Sequence, residues 1–419
     1  MAENLGIEKT FVANVFFWFL LISIQATNAG HKDGGFNQKL EVEKLLKKLN
    51  KPAVKSIKSP DGDIIDCVSI LKQPAFDHPK LKNHKIKMRP SSYPKGGDDI
   101  LEKVDMSSKS TPIVQLWHQS GSCPEGTIPI RRIKEEDILR ANSIQQFGKK
   151  NFKSPPFRSY AKAQGSQEYA TVYVRGDDRY YGGKATINTW NPSVQFGEFS
   201  VSQIWLLNDD DVANTNTIEA GWQVNPQLYG DNTTRLFTYW TDDNGKTSGC
   251  YDLLCSGFVQ LDAGVAVGAS ITPLSIYGNQ SAQAVMKLTI WKDIKNGDWW
   301  IQYGPEKVIG YWPSALFSQL SYNATVVEWG GEVINTRANG QNTATQMGSG
   351  HFPVEGYGKA SFFANIKIVN DKNQMVSPNN ILTSIDRPNC YDIKPDYSDD
   401  PKWASYFFFG GPGINPNCP

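Results

Sequence analysis

The chain has 419 residues, with 43 lysines and arginines against 42 aspartates and glutamates and a formal net charge of +1. So even a balance creates no strong global field, which disfavours nucleic acid or a membrane surface as the main partner. Because β-sandwiches reach roughly 200–250 residues as single units, the length favours two parts and allows a sizeable core.

The N-terminus carries one apolar run, Thr10–Ile24, followed by small and polar residues up to Ala29. The run of about 15 residues is shorter than the roughly 20 that a membrane-spanning helix needs, and the small residues fit a cleavage site. The pattern predicts a signal peptide over residues 1–29 and a secreted protein. A signal anchor is the alternative, because Lys9 stands beside Glu8 and the leading segment is only weakly cationic.

Export would place the six cysteines in an oxidising compartment, where disulfides are the default. Proximity and domain grouping favour the pairs Cys67–Cys123, Cys250–Cys255 and Cys390–Cys418. Three glycosylation sequons, which we expect in surface loops, begin at Asn232, Asn279 and Asn323.

Residues 30–160 are rich in lysine and punctuated by proline. An amphipathic helix that ends before Pro52 is predicted by apolar residues at helical spacing, Val42, Leu45, Leu46 and Leu49. A second helix is predicted over Glu135–Gln146, and turn signals fill the space between the two. For the basic run Lys80–Arg89 the composition favours a solvated face over an anion site. The sequence therefore predicts a small α/β or irregular domain here.

From Tyr169 onward, short β-branched and aromatic runs alternate with turn residues, a pattern typical of all-β domains. Without helical patterns between the runs, two packed antiparallel sheets are favoured over a βαβ fold, and we expect a β-sandwich over residues 161–419. The predicted strands are Ala170–Arg175, Lys184–Trp190, Phe199–Leu206, Thr217–Val224, Leu236–Thr241, Gly257–Leu261, Val285–Lys292, Trp299–Tyr303 and Thr325–Ile334.

Several catalytic chemistries fit this domain poorly. His351 is the one histidine beyond residue 160, and the serine beside it does not stand in a G-x-S-x-G elbow. One histidine cannot build the common two- or three-histidine zinc sites, and paired cysteines offer no thiolate. Neither a Walker loop nor a strand-to-helix GxGxxG is present, so no metal or other cofactor is predicted.

Glutamates inside predicted strands remain as candidates. Alternation in Thr217–Val224 places Glu219 on the face that carries Gly221 and Gln223, opposite the apolar residues. In the last predicted strand Glu328 and Glu332 share a face, about 13 Å apart if the strand is regular, so at most one of them can lie close to Glu219. A bulge at the intervening glycines could change this register. Strand periodicity does not choose between the two, and for any one glutamate the alternative is a place on the solvated face of a sheet.

Ordered motifs along the chain resemble the plant neprosin family, with coverage from about residue 36 to the end. In the C-terminal domain they are Ile218–Val224, Leu228–Asn232, Gly249–Tyr251, Cys255–Gln260, Gly310–Pro313, Trp329–Glu332, Gln346–His351 and Gly410–Gly413. Three further segments are similar to the activation peptide of that family, Ser59–Gly62, Ile65–Val68 and Gln73–Pro79.

The resemblance implies a proenzyme of an acid-active glutamic endopeptidase, made of an activation peptide and a β-sandwich with a long cleft. It implies catalytic glutamates at Glu219, in the I-E-A-G-W segment, and at Glu332, in the W-G-G-E segment, with Glu328 as the alternative to Glu332. The founding activity of the family is cleavage after proline, so proline-containing polypeptides are the expected substrates. The expected location is extracellular, in the apoplast, or in the vacuole.

Amide hydrolysis needs a base that deprotonates water and an acid that protonates the departing nitrogen. Two close carboxylates provide both, because their repulsion raises the pKa of one of them. We expect Glu219 to be the base and Glu332 the acid, with Gln223 as an oxyanion donor. The lysine-rich leader would then inhibit the enzyme by covering an acidic cleft through charge pairs that weaken in acid.

Two other functions fit the same residues. Paired carboxylates among aromatic residues also suit a glycoside hydrolase. A non-catalytic sandwich that binds cell-wall glycan or protein would be favoured if Glu219 and Glu332 lay far apart or were buried in ion pairs.

Overall fold

The structure is a computed structural model that describes residues 37–96, 114–150, 166–305, 307–338 and 340–419. The predicted signal peptide lies outside the described residues. The chain divides into two compact units, with the boundary in the sequence between Lys48 and Leu49. In the described part, no helix is long and apolar enough to cross a membrane.

The first unit is described by one helix, α1, over residues 37–49, whose last residue already belongs to the second unit. Its least exposed positions are the four apolar residues that predicted it, Val42, Leu45, Leu46 and Leu49. The predicted amphipathic helix is thus confirmed.

The second unit begins with short elements before residue 150. The strands are β1 (Ala53–Lys58), β2 (Ile64–Ser69), β3 (Val114–Gln115) and β4 (Thr127–Arg131). Strands β1, β2 and β4 form an antiparallel sheet whose first hairpin turns at Gly62, where φ is +89°. The second predicted helix was too long: α2 covers Glu135–Leu139, and Ser143 then caps a separate 3-10 turn through a hydrogen bond from the Gln146 amide.

Among the residues described after Lys150, seventeen further strands and one short helix, α3 (Pro226–Tyr229), follow. The strands are β5 (Ser166–Tyr180), β6 (Gly182–Asn188), β7 (Ser200–Asn208), β8 (Asn216–Val224), β9 (Arg235–Thr241), β10 (Cys250–Tyr251), β11 (Val259–Gln260), β12 (Ile271–Thr272), β13 (Val285–Lys292), β14 (Trp299–Tyr303), β15 (Lys307–Trp312), β16 (Ala324–Asn335), β17 (Ser361–Val369), β18 (Met375–Val376), β19 (Leu382–Ile385), β20 (Asp392–Tyr397) and β21 (Ser405–Gly410).

These strands build two antiparallel sheets. One has the order β10-β9-β8-β7-β16-β5-β19, and the other runs β11-β15-β14-β13-β6-β17-β21-β20 with β18 paired to β17. A two-stranded pair, β12 with β3, joins the sandwich to the preceding region. The predicted mainly-β sandwich is confirmed. Sequence periodicity missed the strands β1–β4, β10, β12, β15 and β17–β21.

The core lies between the two large sheets. Strand alternation sends one set of side chains from the seven-stranded sheet inward, including Ile204, Trp222 and Trp329, where they pack with residues of the nine-stranded sheet. Trp329 is fully buried, and its indole N–H donates to the Lys184 carbonyl of β6 at 3.2 Å. The opposite face of the seven-stranded sheet is therefore left to carry a site.

The cysteines are paired as predicted, Cys67 with Cys123, Cys250 with Cys255 and Cys390 with Cys418. Of the three sequon asparagines, Asn232 and Asn279 are exposed and Asn323 is half-buried. Glycosylation stays a prediction.

Replacement of Trp329 by alanine should lower the free energy of unfolding by about 3–5 kcal/mol, because it removes a large side chain from between the sheets and one hydrogen bond to the Lys184 carbonyl. Urea unfolding of the full chain measures this. Tyr322→Ala is the matched control, since this ring is 74% exposed and should contribute less than about 0.5 kcal/mol. Equal losses from both variants would contradict the assigned core.

Candidate active site

The candidate site lies on the outer face of the seven-stranded sheet, where β8, β7 and β16 are neighbours. In β8, Ile218, Ala220 and Trp222 enter the core, so Glu219 points to the opposite face as predicted. The β8 pairing with β7 is continuous and sets Glu219 opposite Trp205.

Strand β16 keeps a regular register through its glycine pair, so the possible bulge is not formed. Glu328 pairs with Trp205, and Glu332 pairs with Val201. Glu328 thus stands on the same rung as Glu219, but with the Trp205 position of β7 between them, and it accepts a hydrogen bond from Thr171 on the next strand. Glu332 stands diagonally across β7 from Glu219.

One ammonium group joins Glu219 and Glu332. The Lys150 Nζ donates to Oε2 of Glu219 at 2.9 Å and to Oε2 of Glu332 at 2.7 Å. All three side chains are buried, with 2% or less of each exposed. The two carboxylate oxygens are therefore no more than two hydrogen-bond lengths apart. Of the two strand candidates on β16, the structure brings Glu332, and not Glu328, to the ammonium shared with Glu219.

An amide group lies beside the same ammonium. The Gln203 side chain on β7 donates from Nε2 to Oε2 of Glu332 at 3.0 Å. The second oxygen of Glu332, Oε1, is buried and has no hydrogen-bond partner among the described residues. This leaves one oxygen of the Glu332 carboxylate available for chemistry.

Glycines flank Gln203 on both sides, Gly221 on β8 and Gly330 on β16. A Cβ at Gly221 would lie 2.0 Å from the Ser202 carbonyl, and a Cβ at Gly330, where φ is +147°, would lie 2.4 Å from the Ala170 carbonyl. Neither position tolerates a side chain. The rung between the two glutamates therefore stays bare except for the glutamine.

Burial raises the pKa of Glu332 to about 7; Lys150 opposes the rise and Glu219 adds to it. Burial would lower the pKa of Lys150, but the two carboxylates outweigh it and raise that pKa above its usual value. The lysine therefore stays charged while Glu332 lies near its titration point at neutral pH.

Three tyrosines surround the pair. Tyr169 and Tyr239 stand opposite Glu332 and Glu219 in the strand register, and the Lys150 ammonium lies 5.8 Å from the centre of the Tyr239 ring. Burial and the neighbouring glutamates raise the pKa of each of the three, Tyr169, Tyr239 and Tyr251. These hydroxyls stay protonated and contribute no competing negative charge.

The structure does not bring Gln223 to the pair. Its amide donates to the Tyr229 hydroxyl at 2.9 Å, so the predicted oxyanion donor is engaged elsewhere, and Gln203 occupies the place expected for it. Alternation in the predicted strand Phe199–Leu206 already put Gln203 and Trp205 on one face. Lys150 had no sequence signal, because it is one lysine in a lysine-rich region.

Other contacts hold the region before residue 150 against the sandwich. The basic run is not simply a solvated face: Lys87 pairs with the buried Asp298, and His84 shares a hydrogen bond of 2.7 Å with the Tyr311 hydroxyl. Lys150 also lines a cavity of about 260 Å³, together with the preceding residues 146–149 and with Tyr251 and Ile334. The described residues include no cluster of three or more metal-binding side chains.

Fold and site together define a β-sandwich protein whose paired buried carboxylates are closed by a segment of its own chain. The family model described as Neprosin matches residues 196–412, and the one described as Neprosin activation peptide matches residues 56–173. The chain belongs to the neprosin family. This membership, with the activation peptide and the Neprosin domain in one chain, supports a peptidase zymogen. Lys150 lies inside the activation-peptide match.

Among solved structures, the chain is similar to scytalido-glutamic peptidase in complex with a peptide-based transition-state analogue, and to SCP-B, an eqolisin peptidase in complex with the tripeptide Ala-Ile-His. Each match has 11% identity and a TM-score of 0.32, and covers 59% of this chain and 98% of the other. A homodimeric agglutinin from chicken liver matches at 10% identity and a TM-score of 0.22, over 40% of this chain and 96% of the other. Likenesses this distant carry no argument about chemistry.

Lys150→Gln should destabilise the precursor by about 3 kcal/mol at pH 8, because it leaves two buried carboxylates without their cation. Without the ammonium the pKa of Glu332 rises further, so in acid the carboxyl is neutral and needs no partner. The difference from the wild-type chain should therefore shrink as the pH falls from the raised pKa of Glu332 in the variant to about 7, and stay constant below that.

Urea unfolding at several pH values measures both effects. Lys149→Gln is the control, since the side chain of this half-buried neighbour donates to the Thr247 carbonyl and to no carboxylate among the described residues, and its replacement should change stability little at any pH. A loss in Lys150→Gln that did not depend on pH would contradict the assigned electrostatics.

Proposed function

We propose that the chain is the secreted precursor of a glutamic endopeptidase in which Glu219 and Glu332 hydrolyse peptide bonds and Lys150 keeps them latent. The observation that carries the proposal is the single buried ammonium, inside the activation-peptide match, that contacts both carboxylates. Family membership favours peptide hydrolysis over a glycoside hydrolase or a wall-binding sandwich.

The burial of both glutamates in an ion pair does not argue for a non-catalytic protein, because the cation is contributed by the region that activation removes. Withdrawal of Lys150 vacates a space within hydrogen-bond reach of both carboxylates. That space suits a water molecule and the carbonyl of a substrate. In the precursor the Lys150 ammonium thus occupies the position in which the water and the substrate carbonyl would react.

In the proposed reaction Glu219 takes a proton from water, whose oxygen attacks the carbonyl carbon of the scissile bond. Glu332 is neutral at the start and gives its proton to the amide nitrogen as the C–N bond breaks. Its raised pKa, caused first by burial, suits the role of the acid. Return of one proton from Glu219 to Glu332 restores the starting state. The Gln203 amide, beside Glu332, is the donor for the developing oxyanion.

Acid should release the activation peptide. Lys150 lowers the pKa of Glu332, so loss of the ammonium by itself raises that pKa above its closed-form value of about 7. With respect to this contact, Glu332 binds a proton more tightly once the ammonium has left. The stabilisation that the ion pair gives the closed form is fully present above the raised pKa and is lost as the pH falls to about 7.

We place the activating cut within residues 151–165. A cut before Lys150 would leave the ammonium on the mature chain. A cut inside β5 would sever a strand that pairs with β16 on one side and with β19 on the other. Although the activation-peptide match runs to residue 173, β5 belongs to the sandwich and should remain with it.

Secretion, to the apoplast or the vacuole, and cleavage after proline complete the proposal. The apolar run Thr10–Ile24 and the pairing of all six cysteines support export. Digestion of a proteome-derived peptide library at acid pH, with both sides of every cut recorded, tests the preference for proline.

Glu219→Gln and Glu332→Gln should each lower turnover of peptides by at least about 100-fold while the fold stays intact, because each removes a proton-transfer group. Glu328→Gln is the matched control, a glutamate on the same face of β16 that contacts Thr171 instead of Lys150. Assays on acid-treated chains and circular dichroism measure activity and fold. Substantial cleavage by Glu332→Gln, or its loss only in Glu328→Gln, would overturn the assignment.

The purified precursor should convert to a shorter form at pH 3–5 and stay intact at pH 8, because protonation weakens the Lys150 contact. Mass spectrometry locates the new N-terminus, which we expect between residues 151 and 166. Glu219→Gln should stay full length when incubated alone and convert when a trace of active enzyme is added. A wild-type chain that persisted at pH 3–5 would argue against self-activation.

A further inference from the structure

A second buried cation lies along the same face of the sheet. Arg235, at the start of β9, has a fully buried side chain held between two carboxylates. A carboxylate oxygen of Asp231 lies 2.6 Å from Nη2 of the guanidinium, and one of Asp63 lies 2.6 Å from Nη1. Asp231 belongs to the sandwich, but Asp63 lies inside the activation-peptide match.

Asp63 follows the hairpin turn between β1 and β2, and the residues of this turn contact the sandwich at Ser270 and Arg235. Its other oxygen accepts from Arg131 of the same region at 3.0 Å, and the neighbouring Asp61 accepts from the Ser270 hydroxyl. Below it, the Arg235 guanidinium lies 4.9 Å from the centre of the Tyr229 ring. The pocket thus offers a carboxylate one charged donor and a stacked aromatic floor.

Strand register relates this pocket to the two glutamates. Arg235 pairs with Gln223, and Tyr239 pairs with Glu219, so the two rungs are four residues apart. Both rungs point away from the core, because Leu236 and Trp240 pack into it. Four residues of strand span about 13 Å, a distance that three or four residues of an extended peptide also cover.

We propose that Arg235 becomes a carboxylate-binding subsite of the mature cleft, occupied in the precursor by Asp63 and in the enzyme by a carboxylate of the substrate three or four residues from the scissile bond. This inference rests on the proposed peptidase activity. Departure of the activation peptide removes Asp63 and Arg131 together, which frees one N–H of Nη1; the same nitrogen also donates to the Gly268 carbonyl of the sandwich at 2.9 Å. Asp231 stays on the other edge of the guanidinium and keeps it oriented.

The carboxylate can come from an acidic side chain or from the C-terminus of a peptide, and cleavage assays separate the two. In one arm, peptides carry Glu or Gln at the third and fourth positions on each side of a cut site. In the other arm, the peptide ends at those positions with a free or an amidated terminus. Acid-activated wild-type enzyme should prefer the carboxylate member of one pair by about tenfold in kcat/KM, less at high salt.

Arg235→Lys should reduce that ratio to about twofold, because lysine keeps the charge and loses the planar fork. Because Arg235 is buried in the precursor, its replacement by lysine can also impair folding. A second measurement therefore uses the precursor itself, without catalysis. Asp63→Ala removes the carboxylate that contacts Arg235 in the precursor and leaves a gap beside Nη1, which acetate can fill.

Acetate at about 100 mM should raise the Tm of Asp63→Ala by about 2 °C more than acetamide at matched ionic strength. Asp61→Ala is the matched control, because the carboxylate it removes meets a serine hydroxyl and not a guanidinium. Acetate should give no selective rise there.

The outcomes are distinct. A preference for the carboxylate member in either set of peptides, together with the selective rise in the Tm of Asp63→Ala in acetate, supports the subsite. The set that shows the preference tells whether the carboxylate comes from a side chain or from a C-terminus. Cleavage of both members of every pair at equal rates overturns the subsite and leaves the peptidase intact. An activated chain that cleaves no peptide overturns the proposed function, and with it a role in substrate binding. Absence of acetate rescue overturns the carboxylate pocket whatever the cleavage shows.

Discussion

The structure depends on one buried contact, the Lys150 ammonium between Glu219 and Glu332. Two carboxylates this close and this dry repel each other, and burial penalises the charge of each, so a fold that holds both needs a cation or a proton. The precursor uses a lysine from its activation peptide. In the proposed function, latency and the integrity of the site therefore rest on the same contact, and a change in the protonation of Glu332 acts on both.

The sandwich makes this contact possible by dividing each strand between two tasks. In β8 and β16 alternate residues fill the core, and the intervening residues form the face that holds the glutamates. Trp222 and Trp329 anchor these strands from below, while Gly221 and Gly330 leave the rung between the glutamates open. The packed core face of these strands thus fixes the spacing of the glutamates on the outer face.

Charge pairs, together with apolar packing and the pairing of β3 with β12, hold the activation peptide on the sandwich. Besides Lys150, Lys87 reaches Asp298, and Asp63 reaches Arg235, each pair joining a residue before 150 to one in a large sheet or its loops. Such contacts are strong when dry and weaken once water or protons enter. They suit a segment that must cover a cleft tightly and later leave. Two of the three, at Lys150 and Asp63, stand on the cleft face itself.

The amino-acid sequence by itself determined the fold class and the faces on which Glu219, Glu328 and Glu332 lie, because alternation is a local property of an extended chain. It also favoured the cysteine pairing, because the partners stand near each other within one domain. Strand alternation could not choose between Glu328 and Glu332, find Lys150, or prefer Gln203 to Gln223, and only the resemblance to a family favoured Glu332. Those choices depend on the order of β8, β7 and β16, on their register, and on a segment that returns from far away in the chain. Such pairings bring together residues up to 182 positions apart, and only the tertiary structure decides them.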